Sequence, residues 1–270
     1  MHAATGMYAI AFAFASSIVA PCSGQAQHAP DDDHHHALVH FSHPLFTESP
    51  SPDTKVRLDY LYADLADQLS DNTIRVEAEY AFSRNWSIEV NLPMTSHSEN
   101  DVRTTAVGSG EIALKLASFA SAKHGLLLGG GIGFGVPTGS DRKGIGSGHL
   151  VEIEPYLDLG YMHDAIELVS FASWSVSTRR KAGEDQEQQA ALAASLMYHV
   201  NRCLESLLEM EARHTLAGED SGNDVINIGA GLKYHIPGNE SLVLGLGGRI
   251  PITDHREFRH EIIVSALYHF

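Results

Sequence analysis

The densest group of chemistry-bearing residues lies near the start of the chain. Asp31, Asp32 and Asp33 run into His34, His35 and His36, with His40 and His43 close behind. Imidazole and carboxylate suit Zn2+, Cu2+ and Ni2+, and a His-rich tract can gather several ligands around one ion. His34, His35, His36, His40 and His43 are therefore the candidate ligands for a divalent transition metal, the one cofactor the sequence suggests. The spacing fixes no coordination geometry, and a solvated low-complexity tail would read the same way.

A second group is spread through the chain at alternate positions. Glu77, Glu79, Glu89, Glu111, Lys115, Glu152, Glu154, Glu209, Glu211, Arg213, Lys233, Arg249, Arg259 and Glu261 each sit opposite a run of apolar residues. On one wall of a tube they would be pore-lining and mostly acidic, favouring cations. Alternatively they form a salt-bridge network that fills a narrow tube. Gly129, Gly131, Gly133 and Gly135, with Gly229, Gly231, Gly245 and Gly247, leave the same wall bare, either to relieve crowding or to make room for a solute.

Nucleophilic chemistry has weaker support. Ser147 lies beside His149, and His260 has serines nearby, but Gly-x-Ser-x-Gly and His-Glu-x-x-His are both absent. The glycine run at 129–135 also misses the dinucleotide pattern. No catalytic residue is assigned, and a non-enzyme is expected.

The elements that must position these groups are strands. In the last thirteen residues Phe258, His260, Ile262, Val264, Ala266, Tyr268 and Phe270 share one side, opposite Arg259, Glu261, Ile263, Ser265, Leu267 and His269. Period two is the strand signal, and a terminal aromatic on such a strand is the mark of outer-membrane barrels, which the assembly machinery recognises. The alternation recurs from Val56 onward, giving about twelve strands. The expected connections alternate in length. They are short at 83–85, 121–123, 162–164, 201–202 and 237–240, and long at 64–72, 95–107, 137–148, 179–188 and 215–223. Short periplasmic turns with long outer loops are the outer-membrane pattern, and an even strand count returns both ends of the barrel to the periplasm. Tyr60, Tyr62, Tyr80, Phe82, Trp86, Tyr198, Tyr234, Tyr268 and Phe270 fall near strand ends, where interfacial girdles belong.

Composition agrees. A formal net charge of −16 excludes a basic footprint for nucleic acid. Residues 1–26 read as a signal peptide, with an apolar stretch ending in small residues and Gly24-Gln25-Ala26 before the expected cleavage. Cys203 would then stand as a lone cysteine. Residues 27–53, rich in His, Asp and Pro, read as a flexible periplasmic arm, and residues 54–270 as the barrel.

The order of short motifs resembles the outer-membrane family named after the MetA pathway of phenol degradation. The resemblance rests on His43-Pro44-Leu45 through Glu48-Ser49-Pro50, Asn91-Leu92-Pro93, Gly108-Ser109-Gly110-Glu111 and Val136-Pro137-Thr138-Gly139, and it covers residues 44–270. It implies a transporter-like barrel passing small, hydrophobic compounds. The sequence as a whole thus points to an all-β, up-and-down transmembrane barrel of a Gram-negative outer membrane. Its expected partners are membrane lipid and a small solute. Its leading function is a channel or transporter, with a metal-binding protein acting through the arm, or an outer-membrane hydrolase, as alternatives.

Overall fold

A computed structural model describes residues 39–66, 69–100, 102–179, 186–218 and 220–270. The signal-peptide reading of residues 1–26 and the ligands His34, His35 and His36 lie outside them. Thirteen strands are present: β1 (Lys55–Ala66), β2 (Leu69–Ser83), β3 (Trp86–Glu99), β4 (Val102–Val107), β5 (Gly110–Ser121), β6 (Leu126–Val136), β7 (Val151–His163), β8 (Ile166–Arg179), β9 (Gln188–His199), β10 (Leu204–Ala217), β11 (Asp224–Ile236), β12 (Asn239–Pro251) and β13 (His260–His269). Each stave pairs antiparallel with its neighbours in sequence, and β1 pairs with β13 from Lys55↔His269 to Asp64↔His260. That last pairing closes the sheet. β4 is additional: it pairs with the outer half of β3, while β5 takes the inner half. Twelve strands therefore close the barrel.

The faces follow the alternation. Val56, Leu58 and Tyr60 on β1, and Ile262, Val264 and Tyr268 on β13, are exposed, whereas Arg57, Asp59, Glu261, Ile263 and Ser265 are buried inside. Tyr60, Tyr80, Phe82, Trp86, Tyr198, Tyr268 and Phe270 are exposed on the outside. A greasy exterior around a charged interior is stable only where the exterior meets lipid.

Two expected loops are instead strand. β1 and β2 pair as far as Ala66↔Leu69, through the supposed 64–72 loop. The 95–107 segment is a β3–β4 hairpin from Met94↔Val107 to Glu99↔Val102. The physical reason is the same in both. Polar alternation, as in Ser96-His97-Ser98, pairs as well above the bilayer as apolar alternation does within it. Three resemblance motifs meet at this rim: Thr138 Oγ1 accepts the Gly110 N–H and donates to the Gly108 carbonyl, both at 2.7 Å, and the Gly108 N–H donates to the Pro93 carbonyl.

Phe258 and Arg259 precede β13 and do not follow its faces. Phe258 is buried, with the Arg249 guanidinium 5.2 Å from its ring centre, and Arg259 is exposed.

The lipid-facing assignment is testable at Leu232, half-exposed in the middle of β11 and paired with Leu246. Leu232→Arg is expected to destabilise the barrel by about 2 to 4 kcal/mol, read by reversible denaturant unfolding in lipid bilayers. Ala230→Ser beside it should change stability far less.

Candidate functional site

Residues 39–53 do not extend from the barrel as a free arm; they are folded inside it. The segment enters beside β1, turns at Phe46 and Thr47, and returns to Asp53. Its two limbs are tied together where the Phe41 N–H donates to Ser51 Oγ at 2.8 Å and Ser49 Oγ donates to the Phe41 carbonyl at 3.3 Å. Pro44, Pro50 and Pro52 lack N–H groups that would otherwise need partners in this buried setting. We call this hairpin the plug.

The wall is built to receive it. Glu209 Oε1 accepts the N–H groups of Phe46 and Thr47, both at 3.0 Å. Glu167 Oε2 accepts the Ser42 N–H at 2.9 Å, and Glu205 Oε1 accepts from Ser42 Oγ at 3.1 Å. The Arg57 guanidinium donates to the Pro44 and Leu45 carbonyls at 3.1 and 2.6 Å. Wall carboxylates thus take the plug's amides and a wall cation takes its carbonyls, so the ionised groups serve backbone that cannot reach water.

The bare glycine wall is occupied. A Cβ on Gly245 or Gly247 would stand 2.6 Å from a methyl of Leu45, one on Gly231 2.5 Å from it, and one on Gly160 2.6 Å from the Phe41 ring. On the other glycine row, Tyr156 lies over Gly131 and Glu111 over Gly133. Phe41 and Leu45 join Leu127, Val169, Met197, Leu207 and Ile263 in an apolar cluster inside the barrel. Between Phe46, Thr47, Glu209 and Arg249 the remaining cavity is only about 10 Å³, no larger than one water needs.

The predicted pore-lining residues fall into two sets. Lys55 reaches Glu77 at 2.6 Å and Glu79 at 3.2 Å, and Lys115 lies 3.4 Å from Glu79 and 3.7 Å from Glu89, all buried. Across the barrel Lys233 meets Glu205 at 2.9 Å. Arg249 binds Glu211 and Glu261 at 2.7 and 3.1 Å, and Arg213 lies 3.3 Å from Glu211. Glu209 is spent on the plug. Glu111, Glu152 and Glu154, with Asp158, form the second set. They line β5 and β7 with no ion-pair partner among the described residues, and Glu152 at the outer end is exposed. Asp158 was not among the predicted lining; its place opposite Leu157 and Leu159 on β7 was the available signal.

Of the predicted metal ligands, His40 and His43 are described, and both face the interior of the plug's base. Asp53 stands between two imidazoles, 3.1 Å from His43 Nε2 and 2.6 Å from His269 Nδ1. Burial alone would raise the Asp53 carboxyl, but the hydrogen bonds from His269 and His43 hold it well below the ordinary carboxylate range. Burial and then the Lys55 ammonium push the His43 imidazole well below its usual value, so it is neutral. His269 was legible only as an inward position of the last strand.

The serine and histidine neighbours do not form a relay. His149 Nδ1 faces both Ser147 Oγ at 3.2 Å and the Asp141 carboxylate at 3.0 Å, whereas a Ser-His-Asp relay uses opposite ring nitrogens. His260 lies 3.6 Å from Asp64.

No family model matches the chain, and no curated protein matches it in sequence. Among solved structures it is similar to an outer-membrane channel from Pseudomonas putida F1, with a TM-score of 0.63 and 12% identity over 90% of this chain and 100% of that one. It is also similar to the NanC porin, with a TM-score of 0.53 and 12% identity over 80% and 98%. The β domain of the Bordetella autotransporter BrkA gives a TM-score of 0.51 and 9% identity over 80% and 98%. The likeness is one of fold. With the apolar exterior and the closed strand order, it establishes an outer-membrane β-barrel of the Gram-negative type.

Seating of the plug on Glu209 can be measured. Losing a carboxylate that holds two buried N–H groups costs about 2 kcal/mol, so Glu209→Ala should raise maleimide labelling of a Thr47→Cys reporter roughly 30-fold. A reporter equally slow in both backgrounds would show that Glu209 does not seat the plug.

Proposed function

We propose that the protein is an outer-membrane channel for small solutes, with a vestibule that favours cations and a plug that sets its resting conductance. The observation that carries this reading is the asymmetry of the inner wall. Bases answer the acids around the plug, whereas Glu111, Glu152 and Glu154 on β5 and β7 have no ion-pair partner among the described residues. Unanswered acids along a passage raise the local cation concentration and oppose anions. The fold it shares with an outer-membrane channel and with a porin supports the same class.

The glycine rows do not serve as an open solute path in this reading. They seat Leu45 and Tyr156, so passage through the inner half requires the plug to shift. Its polar contacts suit that. Each plug amide taken by Glu167 or Glu209 can be taken by water when the hairpin moves, and the carboxylate left behind is rehydrated at the same time. The acidic vestibule does not match the hydrophobic solutes that the family resemblance implied; charged or strongly polar cations fit it better.

Planar-bilayer recordings test this. The native protein should show small, cation-selective steps. Gly231→Val with Gly247→Val, which removes the room for Leu45, should enlarge them with strand content unchanged. Replacing Glu111, Glu152 and Glu154 by Gln should bring the cation preference close to unity at low salt, an effect that screening weakens at higher ionic strength. A barrel that inserts but stays silent even with the plug displaced would overturn the channel reading.

A further inference from the structure

We propose that the base of the plug is a divalent transition-metal site formed by His40, His43, Asp53 and His269, whose ion would fasten the plug to the closing strand. One ligand atom from each of the four residues lies within 4.8 Å of every other. The three imidazole centres are nearly equidistant, at 5.5 Å for His43 and His269 and 5.8 Å for each with His40. Three imidazoles bound tetrahedrally at Zn–N distances of 2.0 to 2.1 Å place their ring centres roughly 5 Å apart. The observed triangle is slightly wider. Asp53 supplies the fourth corner, with its Oδ2 already between His43 and His269. Three neutral nitrogens and one carboxylate suit Zn2+, with Co2+ and Ni2+ next, and give a hard alkaline-earth ion little.

The local proton arrangement is compatible with loading. Lys55 Nζ lies 3.1 Å from His43 Nδ1 and donates there, which makes Nε2 the N–H that faces Asp53. On loading, that proton moves from Nε2 to Nδ1, and the Lys55 ammonium turns wholly to Glu77 and Glu79, already 2.6 and 3.2 Å away. The His269 proton moves from Nδ1 to Nε2. No proton need be lost, and the Asp53 carboxylate between His43 and His269 supplies the anionic ligand. Asp53 and His43 are almost wholly buried, so an ion seated there has few competing waters.

The site differs from a metal-binding His tract. Two of its ligands, Asp53 and His269, lie outside the tract, and His269 arrives from the other end of the chain. It also stands independently of whether the barrel conducts, because its readout is the ion itself.

The experiment uses the full-length refolded protein, loaded with Zn2+ or Co2+ and passed through a desalting column. One zinc per chain is expected, and the cobalt form should show the intense visible bands of a tetrahedral site. Asp53→Asn with His269→Gln should lose both signatures while keeping the heat-modifiable mobility of a folded barrel. His34→Gln, His35→Gln and His36→Gln together should keep them. Zinc should also slow proteolysis of the plug at least tenfold in the native protein and not in the double variant. If neither metal is retained, or if zinc survives loss of Asp53 and His269 but disappears with His34, His35 and His36, the site is overturned. A double variant that fails to fold is replaced by His40→Gln, which the same readings decide.

Discussion

Everything in this molecule depends on the pairing of its backbone in a solvent that cannot pair it. Lipid offers no hydrogen bonds, so an open sheet edge within it is prohibitively costly. The β1–β13 ladder removes the last edge. Once the sheet is closed, its outer face is committed to lipid and its inner face to whatever fills the tube. Twelve strands enclose too much space for their own side chains to fill at every level, and too little to leave buried charges well hydrated. The plug resolves that conflict by bringing its own apolar groups and its own hydrogen-bonding backbone.

The inner wall reflects the exchange. Buried carboxylates are expensive unless they are paired or hydrogen-bonded. Around the plug each acquires a role: Glu77 and Glu79 hold Lys55, Glu205 holds Lys233, and Glu167 and Glu209 hold plug amides. Glycine complements charge on the same wall. Gly231, Gly245 and Gly247 make the hollow that Leu45 occupies, so the absence of side chains on β11 and β12 is matched by one on the plug. The acids on β5 and β7 stand apart from this accounting, which is why the wall has a chemical direction.

The barrel was legible because lipid enforces alternation strictly. One misplaced arginine near the midplane of the outer face costs about 2 to 4 kcal/mol, so Val56, Leu58 and Tyr60 announce their side unambiguously. The plug was hidden for the opposite reason. His43-Pro44-Leu45-Phe46 has neither period, because a segment buried on all sides by a wall of mixed chemistry needs no amphipathic pattern. Its His, Asp and Pro content suggested a flexible arm, yet the segment folds back on itself inside the tube. Loop lengths misled where polar strands such as Ser96-His97-Ser98 continue pairing beyond the membrane. The inward charges were legible as a set. Which of them are answered depends on contacts between strands two apart along the wall, as between Lys115 on β5 and Glu79 on β2 or Arg249 on β12 and Glu211 on β10, and these are fixed by barrel register.

The seam joins these themes. His269 is the final residue of β13 and Lys55 the first of β1, and the register sets them opposite each other. Asp53 and Thr54 stand just before that first residue, and there Asp53 meets His269 and the Phe270 N–H donates to the Thr54 carbonyl. Before β1 and β13 pair, these groups are separated by almost the whole chain. The base of the plug can therefore be fastened only in a barrel that has already closed. Arg57, the next inward residue of β1 after Lys55, holds the plug's carbonyls and also contacts Ser265 on the closing strand at 3.2 Å. Closure of the wall and seating of the plug thus share residues, and a barrel with a slipped seam would also misplace the groups that hold its plug.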